Sequence, residues 1–160
     1  MYQLFSKYFL LGLVLGIGLP TYAQKENLTI PIKVLADSMK LNPKPMMILV
    51  STDWCKYCQL QKSQLLRNKA FIDAKDVVYY SEFDAETKED ILFNGEVYQY
   101  TNSGVARGIH ELVIALADKK ERLSYPLWIV LDKNYNILLR RNGLLEPNEI
   151  KEIIKTLSYN

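Results

Sequence analysis

Two residue types that commonly build sites in proteins are scarce in this sequence. The 160 residues contain only two cysteines and one histidine. Two cysteines are too few for a small secreted scaffold held together by disulfides. A structural zinc ion takes about four cysteine or histidine ligands, so a zinc site would need a second molecule.

An excess of charge of one sign is also missing. Lysine and arginine total 20 against 18 aspartates and glutamates, which leaves a formal net charge of +2. Nucleic-acid-binding proteins usually concentrate basic residues on one face. Here basic residues stand beside acids, as Lys119 and Lys120 follow Asp118. We therefore expect no nucleic-acid partner.

The apolar run near the amino terminus, Phe9 to Leu19, is short. A membrane-spanning helix needs about 20 apolar residues. Lys7 precedes the run, Pro20 follows it, and the small residue Ala23 comes shortly after. This layout is typical of a secretory signal peptide over residues 1–23, with an uncleaved anchor as the alternative. We expect an exported protein with no stable membrane insertion after cleavage.

Strand and helix patterns alternate along the rest of the chain. Short apolar or β-branched runs predict strands at 46–50, at 77–83, from 127, and at 137–140. Apolar residues spaced three and four apart predict helices after Pro31, at 59–71, at 106–123 and from Pro147. This order predicts an α/β fold, with a mixed sheet of about four strands and helices on both faces.

One segment departs from the alternation of strands and helices. Asn94-Gly95 separates two arms of alternating apolar residues within Ile91 to Tyr100. Asn-Gly is the strongest short signal for a β-hairpin, so we predict a hairpin inserted between the second strand and the next helix. In that helix His110 falls off the apolar stripe, and we expect it near the surface.

The two cysteines stand at the junction of a strand and a helix. Only Lys56 and Tyr57 separate Cys55 from Cys58. The unpaired N–H groups and the dipole at a helix N-terminus stabilise a thiolate, and nearby Lys56 adds a positive charge. We therefore expect Cys55 to be the nucleophile. Cys58, one turn later, can attack a mixed disulfide on Cys55.

Other uses of the cysteine pair remain open at this point. A disulfide between Cys55 and Cys58 closes a very small loop and adds little stability, which argues against a purely structural pair. Copper(I) needs fewer soft ligands than zinc, so a copper-binding dithiol is an alternative. A domain that simply binds a partner is a third interpretation.

The chain resembles the thioredoxin superfamily at three points. Trp54-Cys55-Lys56-Tyr57-Cys58 matches its active-site motif, Tyr125-Pro126 matches its cis-proline, and Asn142-Gly143 matches a family glycine. The resemblance covers roughly Lys44 to Leu157. With the predicted signal peptide, the chain looks like exported thioredoxin-like proteins of Bacteroidetes, which would place it in the periplasm. The thioredoxin-like domain is expected over 44–160, after an extension with a short helix over 24–43.

The resemblance implies a three-layer sandwich and a thiol–disulfide oxidoreductase that needs no cofactor. Its substrates would be protein thiols and disulfides, and it would work with an unidentified redox partner such as a membrane electron donor. Substrate-binding residues implied by the family pattern are Trp54, Lys56, Tyr57, Tyr125 and Pro126. The alternative is a thioredoxin-fold module that binds copper or a partner through the dithiol.

The sequence departs from the family at one buried position. Thioredoxins carry an acid on the strand before the active site, where this chain has Leu49. Glu82, on the second predicted strand, is the candidate to replace that acid in deprotonating Cys58.

Overall fold

The computed structural model of the chain describes residues 28–102 and 108–159. Its helices are α1 (Ile32–Leu41), α2 (Lys56–Leu65), α3 (Lys69–Asp73), α4 (Glu111–Leu116) and α5 (Pro147–Leu157). Its strands are β1 (Met46–Ser51), β2 (Tyr79–Asp84), β3 (Ile91–Phe93), β4 (Glu96–Tyr98), β5 (Tyr100–Thr101), β6 (Ile109–His110), β7 (Leu127–Leu131) and β8 (Ile137–Asn142). The predicted signal peptide over 1–23 lies outside the described residues.

Four strands form the central sheet in the order β2-β1-β7-β8. β1 pairs with β2 in parallel, whereas β7 pairs antiparallel with both β1 and β8. All residues of β1 and β7 are buried, as expected for central strands covered on both faces. The predicted α/β fold with a mixed four-stranded sheet is confirmed.

Alternation along the strands sends side chains to two separate cores. Met46, Ile48 and Val50 of β1 face a core that contains residues of α1, the β3–β4 hairpin and α4. Met47 and Leu49 face a second core with residues from α2, α3 and α5. Each helix buries an apolar stripe against the sheet, which gives the three layers.

Helix α1 lies in the segment predicted as an N-terminal extension. Its residues Ile32, Leu35, Ala36 and Met39 are buried, which is the apolar stripe expected from the sequence. Just before it, the N–H of Ile30 donates to the carbonyl of Tyr80 at 2.8 Å.

The predicted hairpin is present as β3 and β4. Asn94 and Gly95 have φ angles of 49° and 83°, as a type I′ turn requires. Ile91 and Phe93 are buried, so one face of the hairpin closes the core beside α1.

Two helices differ from their predicted bounds. The helix predicted over 59–71 is divided because Asn68 caps α3, its side-chain oxygen accepting from the N–H of Phe71 at 3.1 Å. Of the helix predicted over 106–123, the described residues form a helix only at Glu111–Leu116. The first two residues of the predicted range, 106 and 107, lie outside the described part of the chain. Ile109 and His110 instead pair with Tyr100 and Thr101 as strands.

The surface position expected for His110 was wrong, because this residue caps α4 instead of lying within it. Its side chain is fully buried. Nδ1 accepts from the N–H of Leu112 at 3.2 Å, and Nε2 lies 3.0 Å from the carbonyl oxygen of Glu89. The ring also packs edge-on against Phe83, with centroids 5.2 Å apart. As the N-cap of α4, the buried imidazole of His110 has a hydrogen-bond partner at each ring nitrogen.

Candidate active site

The loop after β1 places Cys55 at the start of α2. The N–H of Cys55 donates to the carbonyl of Thr52 at 3.1 Å, which closes a turn. Cys55 has extended backbone angles and is the N-cap residue, so its side chain faces the free N–H groups of the first helical turn. The N–H of Cys58 donates to Cys55 Sγ at 3.1 Å. This is the contact that would stabilise a thiolate on Cys55.

Cys55 and Cys58 form a disulfide with an S–S distance of 2.06 Å. Both residues are buried, with 5% of Cys55 exposed against 1% of Cys58. Thiol–disulfide exchange begins at the sulfur that a partner can reach. The first cysteine is therefore the better placed of the two for attack.

Trp54, the residue before Cys55, belongs to a cluster of aromatic and acidic residues, here called the carboxylate flank: Trp54, Asp84, Glu86 and Tyr125. Trp54 is 54% exposed, and its Nε1–H donates to Glu86 Oε1 at 3.0 Å. The Trp54 and Tyr125 rings meet edge to face, with centroids 6.1 Å apart. Burial, together with the charges of Glu86 and Asp84, raises the pKa of Tyr125 to about 12.

Next to this flank, and sharing Tyr125 with it, lies an apolar groove of about 280 Å³, here called the groove. It is lined by Tyr57, Tyr125, Pro126, Gly143 and Leu144. The Tyr125–Pro126 peptide bond is cis, and the N–H of Gly143 donates to the carbonyl of Pro126 at 2.8 Å. Gly143 has a φ of +89°, which side-chain-bearing residues rarely adopt.

The fold thus brings together most of the residues singled out in the sequence. Trp54 contacts Tyr125, and Tyr57, Tyr125 and Pro126 line one groove. Lys56 is exposed at the first position of α2 and does not line the groove.

Glu82 lies beside Leu49 in the register of β1 and β2. Its carboxylate pairs with Lys62 Nζ at 2.8 Å and accepts from the hydroxyl of Tyr80 at 3.1 Å. Burial, and secondarily the charge and hydrogen bond of Glu82, raises the pKa of Tyr80. The acid predicted as a substitute is therefore bound to a lysine of α2.

A buried residue that the sequence analysis missed is Gln61, on the same helix as the cysteines. Its side-chain amide hydrogen-bonds to both the N–H and the carbonyl of Leu145. A helical pattern alone gives no signal for this contact, because its partner is 84 residues away along the chain.

Within residues 28–102 and 108–159, no group of three or more His, Cys, Asp or Glu side chains is placed to hold a metal ion. Among those same residues, no helix combines the length and apolarity needed to cross a bilayer.

The layered sheet, with two cysteines separated by two residues at the start of a helix, defines a thioredoxin fold with a disulfide. The chain belongs to the thioredoxin-like domain family, which matches residues 33–158. No curated protein matches its sequence.

Solved structures of thioredoxin-fold proteins are similar to the chain. A thioredoxin-fold protein from Helicobacter pylori is 15% identical, with a TM-score of 0.55, and the match covers 85% of this chain and 76% of that one. Chloroplastic thioredoxin z is 16% identical at a TM-score of 0.51, covering 82% and 94%. The exposed lipoprotein thioredoxin of Streptococcus pneumoniae is 16% identical at a TM-score of 0.51, covering 77% and 90%. At identities this low, the similarity shows a shared fold alone.

Proposed function

We propose that the protein is an exported thiol–disulfide oxidoreductase that exchanges disulfides with protein substrates. The observation that carries this proposal is the hydrogen bond from the Cys58 N–H to Cys55 Sγ at the start of α2. A helix N-terminus aimed at the sulfur favours the anion that exchange requires. Cys58 lies within bonding distance of the same sulfur, as the disulfide demonstrates.

The reaction needs two exchanges. In the reduced protein, the Cys55 thiolate attacks one sulfur of a substrate disulfide and releases the other as a thiolate, leaving a mixed disulfide. Cys58, as a thiolate, then attacks Cys55 Sγ and releases the second substrate sulfur. The substrate gains two electrons and the protein ends with the Cys55–Cys58 disulfide. A dithiol donor restores the reduced pair, and with an oxidised partner the same steps run in reverse.

The surroundings of the disulfide would hold the substrate. An extended peptide segment would lie along the groove beside Pro126 and Tyr57, where apolar lining favours apolar side chains. Trp54 and Tyr125 would cover its other side, and Lys56 would contact substrate from its exposed position at the start of α2. No cofactor takes part in these steps.

Reduction of insulin disulfides, with dithiothreitol as the electron donor, tests the activity. We expect the wild-type protein to accelerate the reaction and Cys55→Ser to give only the background rate of dithiothreitol. Cys58→Ser should form a mixed disulfide that persists, because the second attack is missing. A Cys55→Ser protein as active as wild type would disprove the assignment. Tight copper(I) binding with negligible exchange would favour the copper-binding alternative.

Export is proposed from the signal-like pattern of residues 1–23. A periplasmic location would supply protein disulfides and would require a redox partner, such as an electron donor in the membrane, to set the direction of exchange. Mass spectrometry of the protein recovered from the periplasm should show a chain beginning at Gln24. A full-length chain held in the membrane fraction would instead indicate an anchor.

A further inference from the structure

Gln61 is a polar side chain that is fully buried next to the active-site cysteines. It lies on α2, one helical turn beyond Cys58. Its Oε1 accepts from the N–H of Leu145 at 2.7 Å and from Trp128 Nε1 at 3.3 Å. Its Nε2 donates to the carbonyl of Leu145 at 3.2 Å and to Gln64 Oε1 at 3.3 Å. Both donor hydrogens and both acceptor positions of the amide are therefore used.

The main partner, Leu145, belongs to the loop that forms one wall of the groove. This loop joins β8 to α5, and backbone hydrogen bonds hold it on either side of Leu144. The N–H of Gly143 donates to the carbonyl of Pro126, and Leu145 is bound through both backbone groups by Gln61. Leu144, which lines the groove, stands between these two contacts. The backbone of Leu144 is therefore held by hydrogen bonds of the residue before it and of the residue after it.

The opposite wall of the groove belongs to the helix that carries Gln61. Tyr57 lines the groove from α2, and Gln61 follows it by four residues, which places the two on neighbouring turns of one helix face. One rigid helix thus supplies a wall directly and binds the loop that supplies the other. The hydrogen bonds of Gln61 therefore connect the helix that carries Tyr57 to the loop that carries Leu144.

We propose that Gln61 is a positioning residue that fixes the width of the groove for extended peptide substrates. The inference rests on the proposed function, because it concerns how substrates of that exchange reaction are held. Gln61 touches neither the sulfurs nor, in this account, the substrate. It acts through Leu145 and Leu144, so its removal should weaken the binding of peptide disulfides more than their chemistry.

Gln61→Met is the test variant, since methionine has nearly the same shape but lacks all four hydrogen bonds. It leaves the buried N–H and carbonyl of Leu145 without their partner, so the loop should shift to satisfy them. We expect the KM for a peptide disulfide to rise about tenfold, as loss of a buried polar partner implies. The rate with a small aromatic disulfide, which does not need the groove, and the redox potential should stay unchanged.

Gln64→Met is the matched control. It makes the same chemical change three residues along the same helix and removes one partner of Gln61, while the bonds to Leu145 remain. Its KM should equal that of wild type. Leu157→Ala, which opens a cavity at the far end of α5, controls for lost stability alone and should also leave KM unchanged.

Hydrogen exchange gives a readout that does not depend on activity. The amides of Gly143 and Leu145 should exchange faster in Gln61→Met than in wild type or Gln64→Met, while those of β1 remain protected. Should Gln61→Met fail to fold, Gln61→Asn keeps a neutral amide that is one methylene too short to reach both backbone groups of Leu145. Its KM should lie between the wild-type value and the rise of about tenfold expected for loss of all four hydrogen bonds.

Three results would overturn the inference: an unchanged KM in Gln61→Met, an equal loss with the small disulfide, or unchanged exchange at Gly143 and Leu145. A wild-type protein that reduces no peptide disulfide would overturn the proposed function and, with it, the role in substrate binding. The exchange data would still decide whether Gln61 holds the loop, so the two failures can be told apart.

Discussion

The carboxylate flank and the groove are held in place by different physical means. On the carboxylate flank, half-exposed Trp54 is oriented by a hydrogen bond to Glu86 and by an edge contact with Tyr125. On the groove side, the apolar wall at Leu144 is fixed by backbone hydrogen bonds and by the buried amide of Gln61. The carboxylate flank thus depends on charged groups near solvent, whereas the groove depends on hydrogen bonds buried in the core.

This difference separates two parts of substrate recognition. Charges near solvent are screened by salt and change encounter rates more than affinity. A groove held by buried hydrogen bonds is insensitive to salt and selects for shape. We therefore expect the carboxylate flank to favour basic substrates modestly, and the groove to set how well an extended peptide fits.

After Gln61→Met, the largest effect is expected from Gly143→Ala on the groove side. An added Cβ meets no atom within 4 Å, but the φ of +89° disfavours alanine, so unfolding should be easier by about 1–2 kcal/mol. Relief of this strain would displace the groove wall and raise KM for a peptide disulfide several-fold. Urea denaturation and steady-state kinetics measure the two effects.

Gly95→Ala in the β3–β4 hairpin is the control for this change. Gly95 has a φ of +83° and equally open space around an added Cβ. The stability loss should be similar, because the strain is the same, while KM stays at the wild-type value. Equal KM values for the two variants would mean that the loop at Gly143 does not shape the substrate site.

A smaller effect is expected from Glu86→Gln on the carboxylate flank. Glutamine keeps an acceptor for the Trp54 Nε1–H but removes the charge. The preference for basic over acidic peptide disulfides should fall about twofold to fivefold at low salt, the range for partly exposed charge pairs, and the difference should vanish at high salt. Glu89→Gln, an exposed carboxylate paired with Lys33, should leave the preference unchanged.

The smallest change concerns the ionisation of Tyr125. Its folded-state pKa of about 12 lies above the ordinary 10.0, chiefly through burial and then through Glu86 and Asp84. The folded state holds this proton more tightly than the unfolded state does. The contribution of Tyr125 to the free energy of unfolding is therefore complete below pH 10 and is lost as pH rises towards 12. Difference absorbance against Tyr125→Phe should show a lower pKa in Glu86→Gln that remains above 10.0, because burial is unchanged. A pKa unaffected by Glu86→Gln would contradict the electrostatic account of this flank.

Features determined by nearby residues could be predicted from the sequence. The buried strand at Met46, the Asn94-Gly95 turn and the cysteines at a strand–helix junction all depend on short stretches of chain. A continuous apolar run predicts a buried strand, Asn-Gly favours the positive φ angles of a tight turn, and a helix N-terminus stabilises a thiolate. Each effect involves residues that are close together in the sequence. For this reason the sheet and the position of the disulfide agree with expectation.

Features determined by distant partners could not be predicted in this way. Gln61 reads as an ordinary surface residue of a helix until Leu145 is brought beside it. His110 falls off the apolar stripe of the predicted helix, yet its buried ring caps α4 and reaches the carbonyl of Glu89. In both cases a long-range hydrogen bond makes burial of a polar group possible, and no local sequence pattern predicts such a bond.

The most direct test of the proposed exchange chemistry is the rate at which iodoacetamide alkylates each cysteine of the reduced protein at mildly acidic pH. The account predicts that Cys55 reacts first and faster than free cysteine, because the N-terminus of α2 favours its anion, while Cys58 is protected. Alkylation of Cys55 no faster than that of free cysteine would contradict the account.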